Sequence, residues 1–295
     1  MSTKRAGWFR PLWHSATGKF GIIVIAVVVL TAIVSLFWTP FSPEQANVDD
    51  RWLGPGWPHL LGTDNGGRDM LTHIMLGART TVVVAVGAAV ISTIIGIALA
   101  CLATLTTRLV REAMATLIDV LLAFPVLIIA AMLASIAGQS LWVVVIAVGI
   151  GFGVNMARVT RPELRRVLSS DFVLAGKAAG LTTAQNVWRH VLPNIAPVYI
   201  VQLSWSMGVA VLAEAGLSYI GFGASANDPS WGRLLSETQA FINVHPLAVI
   251  WPGLAISLTV LALNLLGDKL RETTDPTLSR RMVKSMPAPM PTVTA

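Results

Sequence analysis

Long uncharged, apolar runs dominate the chain. Four of them have the length of one membrane crossing: residues 20–38, 80–107, 191–213 and 246–267. A helix needs about 20 apolar residues to cross a hydrocarbon core of roughly 30 Å. Each of these runs therefore predicts one transmembrane helix.

A fifth run, residues 120–157, is too long for a single crossing. As one helix its 38 residues would extend about 57 Å, nearly twice the thickness of the hydrocarbon core. The turn-type cluster Gly138-Gln139-Ser140 divides it, so the sequence predicts six transmembrane helices and an all-α polytopic protein. Pro125 predicts a kink in the third of them, and Asp119 is expected near its cytoplasmic N-terminal end, where the helix dipole favours a carboxylate; a gating ion pair is the alternative.

Basic residues predict the orientation. With a cytoplasmic N-terminus, 17 of the 21 lysines and arginines lie in inner segments, and only Arg51, Arg68, Arg79 and Arg233 lie outside. This bias predicts that both termini are cytoplasmic. It also accounts for the net charge of +6 without a nucleic-acid partner. The four arginines at 158, 161, 165 and 166 fit this inner rim, with contact to acidic residues of a partner as the alternative.

The predicted spans define the organisation of the chain. The segments are a cytoplasmic tail (1–19), the first transmembrane helix (20–38), an extracytoplasmic segment (39–79), a membrane core (80–270) and a second cytoplasmic tail (271–295). The core contains an inner segment (158–194) and an outer segment (214–245). With 54% hydrophobic and only 12% charged residues, the composition excludes an ordinary soluble protein, in which roughly 25% of residues are charged. Cys101, the single cysteine, is expected to be a packing residue.

The inner segment has the local signals of two short helices joined by a sharp corner. Asp171 is positioned to cap the first helix, and Gly180 to end it in a left-handed conformation. Thr182 followed by Gln185 is a capping-box pattern that begins a second helix, and Pro193 and Pro197 favour a bend where it meets the next span. A rigid docking element is one interpretation, and a plain solvated loop is the other.

The spacing of this segment resembles a known motif. Leu174-Ala175-Gly176, then Gly180, then Leu192-Pro193 is similar to the EAA loop of ATP-binding-cassette (ABC) importer permeases, although Leu174 replaces the motif's glutamate and Gly176 its second alanine. Further stretches resemble the C-type permease subunits of the dipeptide and oligopeptide branch. They are HLLGTDNGGRDMLTHIMLGART (59–80), ARVTRPELRRVLSSDFVLAG (157–176), GLSYIGFG with PSWGRLL (216–235) and NLLGDKLRETTDP (264–276).

This resemblance implies a type I ABC importer permease fold and a set of partners. The EAA loop would be the coupling helix that docks on an ATPase subunit, through Asp171, Phe172, Ala175, Gly176, Ala179, Gly180 and Leu181. No Gly-x4-Gly-Lys-Ser/Thr phosphate loop occurs in the sequence, so the chain is expected to be neither an ATPase nor a binder of cofactors, with ATP and Mg²⁺ held by partner subunits. The expected partners are a homologous permease as heterodimer partner, two ATPases, a substrate-binding protein and the lipid of a bacterial plasma membrane.

The outer motif is the second candidate site. Thr63, Asp64, Gly67, Arg68 and Asp69 combine turn residues with paired charges. A cation site is one interpretation, but the EF-hand spacing is absent. A rigid turn held by Arg68 and an aspartate, ahead of a helix that begins near Asp69, is the favoured one. By resemblance, this surface faces the binding protein.

The cargo implied by the resemblance is a di- or oligopeptide, with nickel and glutathione as alternatives. A secondary transporter would need coupling-ion ligands at the bilayer midplane, and a membrane-embedded enzyme would need catalytic residues in mid-span. The acidic residues near the spans, Asp119 and Glu214, are both expected at helix ends. Glu214 in particular is expected to reach water at the outer end of the fifth span, with a role in the translocation path as the alternative.

Overall fold

The computed structural model describes residue 13 and residues 15–44, 46–223, 225 and 228–274. Most of both predicted tails, 1–19 and 271–295, lies outside these residues. Within the part described, the protein is helical and contains no strand, only an isolated bridge that pairs Thr63 with Asp69. The predicted all-α class is confirmed.

Ten α-helices follow one another along the described chain. They are α1 (Ala16–Val34), α2 (Met70–Leu105), α3 (Arg108–Leu122), α4 (Val126–Ala137), α5 (Leu141–Leu168), α6 (Asp171–Ala178), α7 (Thr183–Asn186), α8 (Leu192–Tyr219), α9 (Trp231–Thr238) and α10 (Pro246–Thr274). A π-helical turn, Val187–Val191, joins α7 to α8 without a break. Two short 3-10 turns, Val48–Asp50 and Gln239–Phe241, lie in the loops.

Five of these helical units are long and apolar enough to cross a membrane: α1, α2, α5, the continuous α7–α8 unit and α10. The α3–α4 pair is bent by 81° and gives a sixth crossing when both halves count as one broken span. Since α4 has only 12 residues, about 18 Å of helix, it cannot cross alone. The polytopic architecture is that predicted, with one crossing interrupted.

Several helices extend beyond the apolar runs. Helix α1 begins at Ala16 rather than Phe20, and α2 begins at Met70, ten residues before the predicted start. A charged side chain such as Arg79, which is exposed on α2, ends an apolar run but does not interrupt backbone hydrogen bonds. Helices therefore continue past the ends of the apolar runs.

The break between α3 and α4 lies at Ala123–Pro125. Pro125 occupies the N-cap of α4, where its missing N–H costs nothing, and the predicted kink is confirmed. Asp119, by contrast, lies exposed in the last turn of α3. The expectation that an N-terminal helix dipole stabilises it is wrong, because the helix begins at Arg108 and its N-terminus is three turns away.

Helices α2 and α5 form the centre of the bundle. An added Cβ at Gly149 would lie 2.7 Å from Ile91 Cβ, and one at Gly153 would lie 2.8 Å from Ile95 Cβ. The branched side chains of one helix thus pack against the glycines of the other, which lets the two helices approach closely. Such close packing stabilises helix pairs in lipid, where the hydrophobic effect does not drive them together. Val84, Val144 and Val148 complete the buried contact between them.

The segments predicted to be outside meet at one end of the bundle. Gln139 Nε2, in the turn between α4 and α5, donates to Gly221 O after α8 (2.7 Å). Thr80 Oγ1 on α2 donates to Pro229 O (2.7 Å). At the other end, the last residues of α2 and α5 meet α6, because Leu105 packs against the buried cluster that contains Val167 and Val173.

Helix α9 folds back into the outer end of the bundle. The Trp231 indole is buried, and its Nε1 donates to Ile74 O of α2 (2.9 Å). Gly232 packs directly against the backbone of Ala215 in α8. Glu214 is 1% exposed and accepts a hydrogen bond from Ser218 Oγ (2.7 Å). The expectation that it reaches water is wrong, because α8 continues to Tyr219 and α9 covers it.

Candidate functional site

Helix α6 forms the first half of the corner at the inner end. Ser170 occupies its N-cap, and the Ser170 hydroxyl donates back to Val167 O rather than capping the helix. Asp171 is the first helical residue, not the cap as predicted, because the extended backbone conformation falls one residue earlier. Its carboxylate still lies in the first turn, where it complements the helix dipole.

Gly180 ends α6 as predicted. Its φ is +86°, a left-handed conformation that favours glycine. Leu181 N donates to Gly176 O (3.0 Å) and Gly180 N donates to Lys177 O (3.0 Å). These two bonds form a Schellman motif, which satisfies the terminal carbonyls and fixes the direction in which the chain leaves the helix.

The second half of the corner is fixed by the predicted capping box. Thr182 Oγ1 accepts from Gln185 N (3.2 Å), and Gln185 Oε1 accepts from Thr182 N (2.9 Å). From there the helix runs on into the membrane. Its irregular turn, Val187–Val191, lies directly before Pro193. Pro193 is interior to the continuous helix and has no N–H to donate back to the preceding turn.

A buried cluster supports the corner from below. It consists of Leu164, Val167, Val173, Val187, Val191 and Ile195. Gly176 also faces inward, because an added Cβ there would lie 2.5 Å from Asn186 Oδ1 and 3.2 Å from Leu181 Cδ1. Gly176 and half-buried Leu181 thus belong to the interior of the corner, and the small residue permits close approach of the loop's own second helix. Their predicted place on the docking surface does not match this geometry.

The exposed face of the corner combines large apolar side chains with small residues. Phe172 is 45% exposed and Leu174 is 50% exposed, while Asp171, Ala175, Ala179 and Gly180 are also at the surface. Trp188 on the π-helical turn is 75% exposed. Leu174 and Trp188 were not predicted as contact residues. Leu174 directly follows buried Val173, and Trp188 directly follows buried Val187. The helical spacing of the apolar residues could therefore have predicted that these two side chains face outward.

The outer motif forms an ion-pair network that joins two distant parts of the chain. Arg68 Nε donates to Asp64 Oδ2 (2.7 Å), and Arg68 Nη2 donates to Glu237 Oε2 (2.9 Å) on α9. Arg233 Nε donates to Glu237 Oε1 (2.9 Å). Asp64 Oδ1 also accepts from the backbone N–H groups of Gly66 and Arg68 (2.8 and 2.9 Å). The predicted turn held by Arg68 and an aspartate is observed, and N–H donors from Gly66 and Arg68 engage both Asp64 oxygens.

The charges shift one another's pKa in this network. Burial lowers the pKa of Arg68, but the Asp64 and Glu237 carboxylates reverse this and leave it above its ordinary value. Burial raises the pKa of Glu237, but hydrogen bonds and charges from Arg233 and Arg68 reverse this and leave it below its ordinary value. Arg68 and Glu237 are therefore both charged at neutral pH.

Asp69 anchors the start of α2. Its Oδ2 accepts from Thr72 N and Thr72 Oγ1 (both 2.8 Å), and its Oδ1 lies 3.0 Å from His59 Nδ1. An ionised carboxylate only accepts hydrogen bonds, so this contact is a hydrogen bond in the tautomer of His59 that has its proton on Nδ1. The helix begins at Met70, as predicted from this motif.

Thr63 and Gly67 connect the motif to the preceding loop. Thr63 Oγ1 accepts from Leu53 N (2.9 Å) and donates to Asp50 O. Gly67 has a φ of +73°, and an added Cβ would collide with the Asn47 backbone. All five predicted outer residues thus lie in one rigid loop, and Glu237 and Arg233 are the residues of its ion-pair network that sequence reasoning did not connect to it.

Comparison with known proteins shows the family to which the chain belongs. The sequence pattern of the family described as "binding-protein-dependent transport system inner membrane component" matches residues 92–280, which contain α6, the corner and α9. The chain belongs to this family. It is a permease subunit of an ABC importer, and its partners include ATPase and substrate-binding components.

Curated relatives extend the match to nearly the whole chain. The chain is 34% identical over 268 residues to the dipeptide transport system permease protein DppC of Alkalihalophilus pseudofirmus, covering 91% of this chain and 88% of that protein. It is 33% identical over 273 residues to a Brucella suis protein provisionally named as a peptide transport system permease protein, covering 91% and 90%. Permeases of this family form the membrane channel, so ATP hydrolysis belongs to other subunits and this chain is not itself an enzyme. A secondary transporter is not favoured.

Proposed function

We propose that this permease forms half of the translocation path of an importer for di- or oligopeptides. The peptide permeases among its relatives support this cargo. The alternative cargoes, nickel and glutathione, are not favoured by these relatives. Uptake of labelled dipeptide, nickel and glutathione by the reconstituted transporter distinguishes them, and the proposal expects dipeptide uptake that the other two do not compete away.

The corner formed by α6 and α7 would couple the bundle to the ATPase. The observation that carries this proposal is the combination of an exposed apolar face, centred on Phe172 and Leu174, with a corner capped at both helices and continuous with α8. An element that transmits a push must be stiff, and the backbone N–H groups of residues 179–182 each donate a local hydrogen bond. Rigid-body movement of the ATPase would then tilt α8 directly.

The remaining subunits follow from the exposed surfaces. Helix α4 leaves Leu127, Ile128, Met132 and Ile136 exposed, and this apolar face would pack against a homologous permease as heterodimer partner. Two ATPase subunits, which would bind ATP and Mg²⁺, would dock at the inner end. The substrate-binding protein would meet the rigid outer loop around Arg68.

Orientation completes the proposal. Both termini would be cytoplasmic in a bacterial plasma membrane, because the basic residues cluster in the segments at the α6 end of the bundle. With the bent α3–α4 pair as one crossing, six crossings return the chain to the side on which it began.

Substitution on the exposed face of α6 tests the coupling role. Ala175→Trp adds a bulky ring without touching the buried cluster, so the chain should still fold. The ATPase recovered with the purified permease should fall at least about tenfold, the effect of roughly 1.4 kcal/mol of lost binding free energy. Ala113→Trp, at an exposed alanine of α3, is the control and should leave recovery unchanged. Full recovery with Ala175→Trp would contradict docking at this face.

A further inference from the structure

A polar cavity lies at the inner end of the bundle, apart from the corner itself. It has a volume of about 520 Å³ and is formed where α2 ends, α3 begins and α5 ends. We call it the inner-rim cavity. The residues that line it are Thr104, Arg111, Arg165, Leu168 and Ser169. Two cations and two hydroxyls therefore surround one small space.

The positive charges of the two arginines in this cavity are not neutralised by a nearby carboxylate among the described residues. The neighbouring arginines on the same helices are paired, Arg108 with Glu112 and Arg166 with Glu163 (2.9 and 2.8 Å). Arg111 and Arg165 form no ion pair with any carboxylate in the described part of the chain, and no acidic residue lines the cavity. An anion is the ligand that such a site would attract.

Buried donors next to the arginines also lack partners. Thr104 Oγ1 is buried without a hydrogen-bond partner among the described residues, and so is Nε of Arg161. Arg161 precedes Arg165 by one helical turn and thus lies on the same face of α5. A buried donor left unpaired is costly, so a ligand with several acceptor oxygens would satisfy this site. A phosphate group provides them, and arginine binds it with two parallel hydrogen bonds.

The position of the cavity points to a lipid as the source of the phosphate. In the first turn of α3, directly before Arg111, Leu109 is 80% exposed and Val110 is also exposed. Apolar side chains exposed beside a cation are typical of a helix at the membrane interface. Arg111 thus lies at the depth of the headgroups, where basic cavities between transmembrane helices bind anionic lipid.

We propose that the inner-rim cavity binds the phosphodiester headgroup of an anionic phospholipid through Arg111 and Arg165. The bound lipid would join the bent α3–α4 span to the end of α5, two residues before α6 begins. The inference depends on the proposed orientation only in assigning the cavity to the cytoplasmic leaflet.

Lipid titration of the assembled transporter tests this proposal. The complex is purified in phosphatidylcholine-containing micelles and titrated with phosphatidylglycerol, and native mass spectrometry counts the retained lipid. Arg111→Gln with Arg165→Gln should weaken retention at least about tenfold. The control, Arg108→Gln with Arg166→Gln, removes the same charge from the same helices and should stay within about twofold of the wild type. If the first variant does not assemble, Arg165→Gln alone, at an exposed side chain, should weaken retention about fivefold.

Four results would overturn the site. Equal loss in both double variants would mean a diffuse charged rim, and undiminished retention in the first would mean no site. Loss of ATPase recovery with unchanged lipid retention would assign the arginines to an acidic surface of the ATPase. Inorganic phosphate at millimolar concentration should not displace the lipid, and displacement would make free phosphate the ligand. Lipid retention and ATPase recovery are separate readouts, so failure of the coupling role is distinguishable from failure of this site.

Discussion

Arg68 and Glu237 are 169 positions apart in the sequence, yet the Arg68 guanidinium donates to the Glu237 carboxylate at 2.9 Å. This contact joins the outer loop, which leads into α2, to helix α9. Helix α9 packs against α2, α8 and α10. The same carboxylate also receives Arg233. The outer surface is therefore one rigid assembly whose parts come from distant segments of the chain.

Removing the Glu237 charge should loosen the outer loop. Glu237→Gln leaves Arg68 with Asp64 alone, so amide hydrogen exchange in residues 46–69 should accelerate about fivefold, equivalent to roughly 1 kcal/mol for partly exposed ion pairs. The matched control is Glu112→Gln, which breaks the exposed Arg108–Glu112 pair on α3 and should leave this loop unaffected. Unchanged exchange in the Glu237 variant would show that the loop is held by its backbone hydrogen bonds alone.

Acid should have the same effect as that substitution. The pKa of Glu237 is lowered in the folded protein relative to its ordinary value of 4.5, so its ion pairs contribute stability above pH 4.5 and lose it as pH falls through the lower folded value. Protection factors in residues 46–69, which correct for the slower intrinsic exchange in acid, should therefore fall below pH 4.5. In the Glu237→Gln variant this acid step should be reduced, and a step of undiminished size would assign it to other carboxylates.

The left-handed turn at Gly180 should be necessary for the stiffness of the corner. Gly180→Ala forces a side chain into positive φ at a cost of about 1–2 kcal/mol, although no atom blocks the added Cβ. Amide exchange at Gly180 and Leu181 should accelerate about fivefold to thirtyfold. Gly253→Ala, at a helical glycine of α10 with equally open surroundings, is the control and should change neither exchange nor ATPase recovery. Equal exchange in both variants would contradict a strained corner.

The parts of the structure that sequence reasoning predicted are those with local causes. The Gly180 turn, the Thr182–Gln185 capping box and the start of α2 after Asp69 each depend on residues within a few positions of one another. Helix ends were less predictable, because charges such as Arg79 limit an apolar run without ending the helix.

The remaining differences come from packing between distant segments. Glu214 looks like a helix end in the sequence, and only α9 folding over α8 makes it buried. Gly176 resembles a surface residue of the coupling motif, but Asn186 on the second helix of the corner occupies the space beside it. The Arg68–Glu237 contact has no local signal, because each residue has a nearer partner of opposite charge.

Photo-crosslinking of the assembled transporter tests the central claim most directly. A photoreactive amino acid is placed separately at exposed Phe172, at buried Val173 and at Val244, which is exposed at the outer end. The coupling role predicts an adduct between position 172 and the ATPase subunit, and none from positions 173 or 244. Absence of an ATPase adduct at position 172, in a complex that still contains the ATPase, would contradict the proposal that this corner connects the motor to the membrane helices.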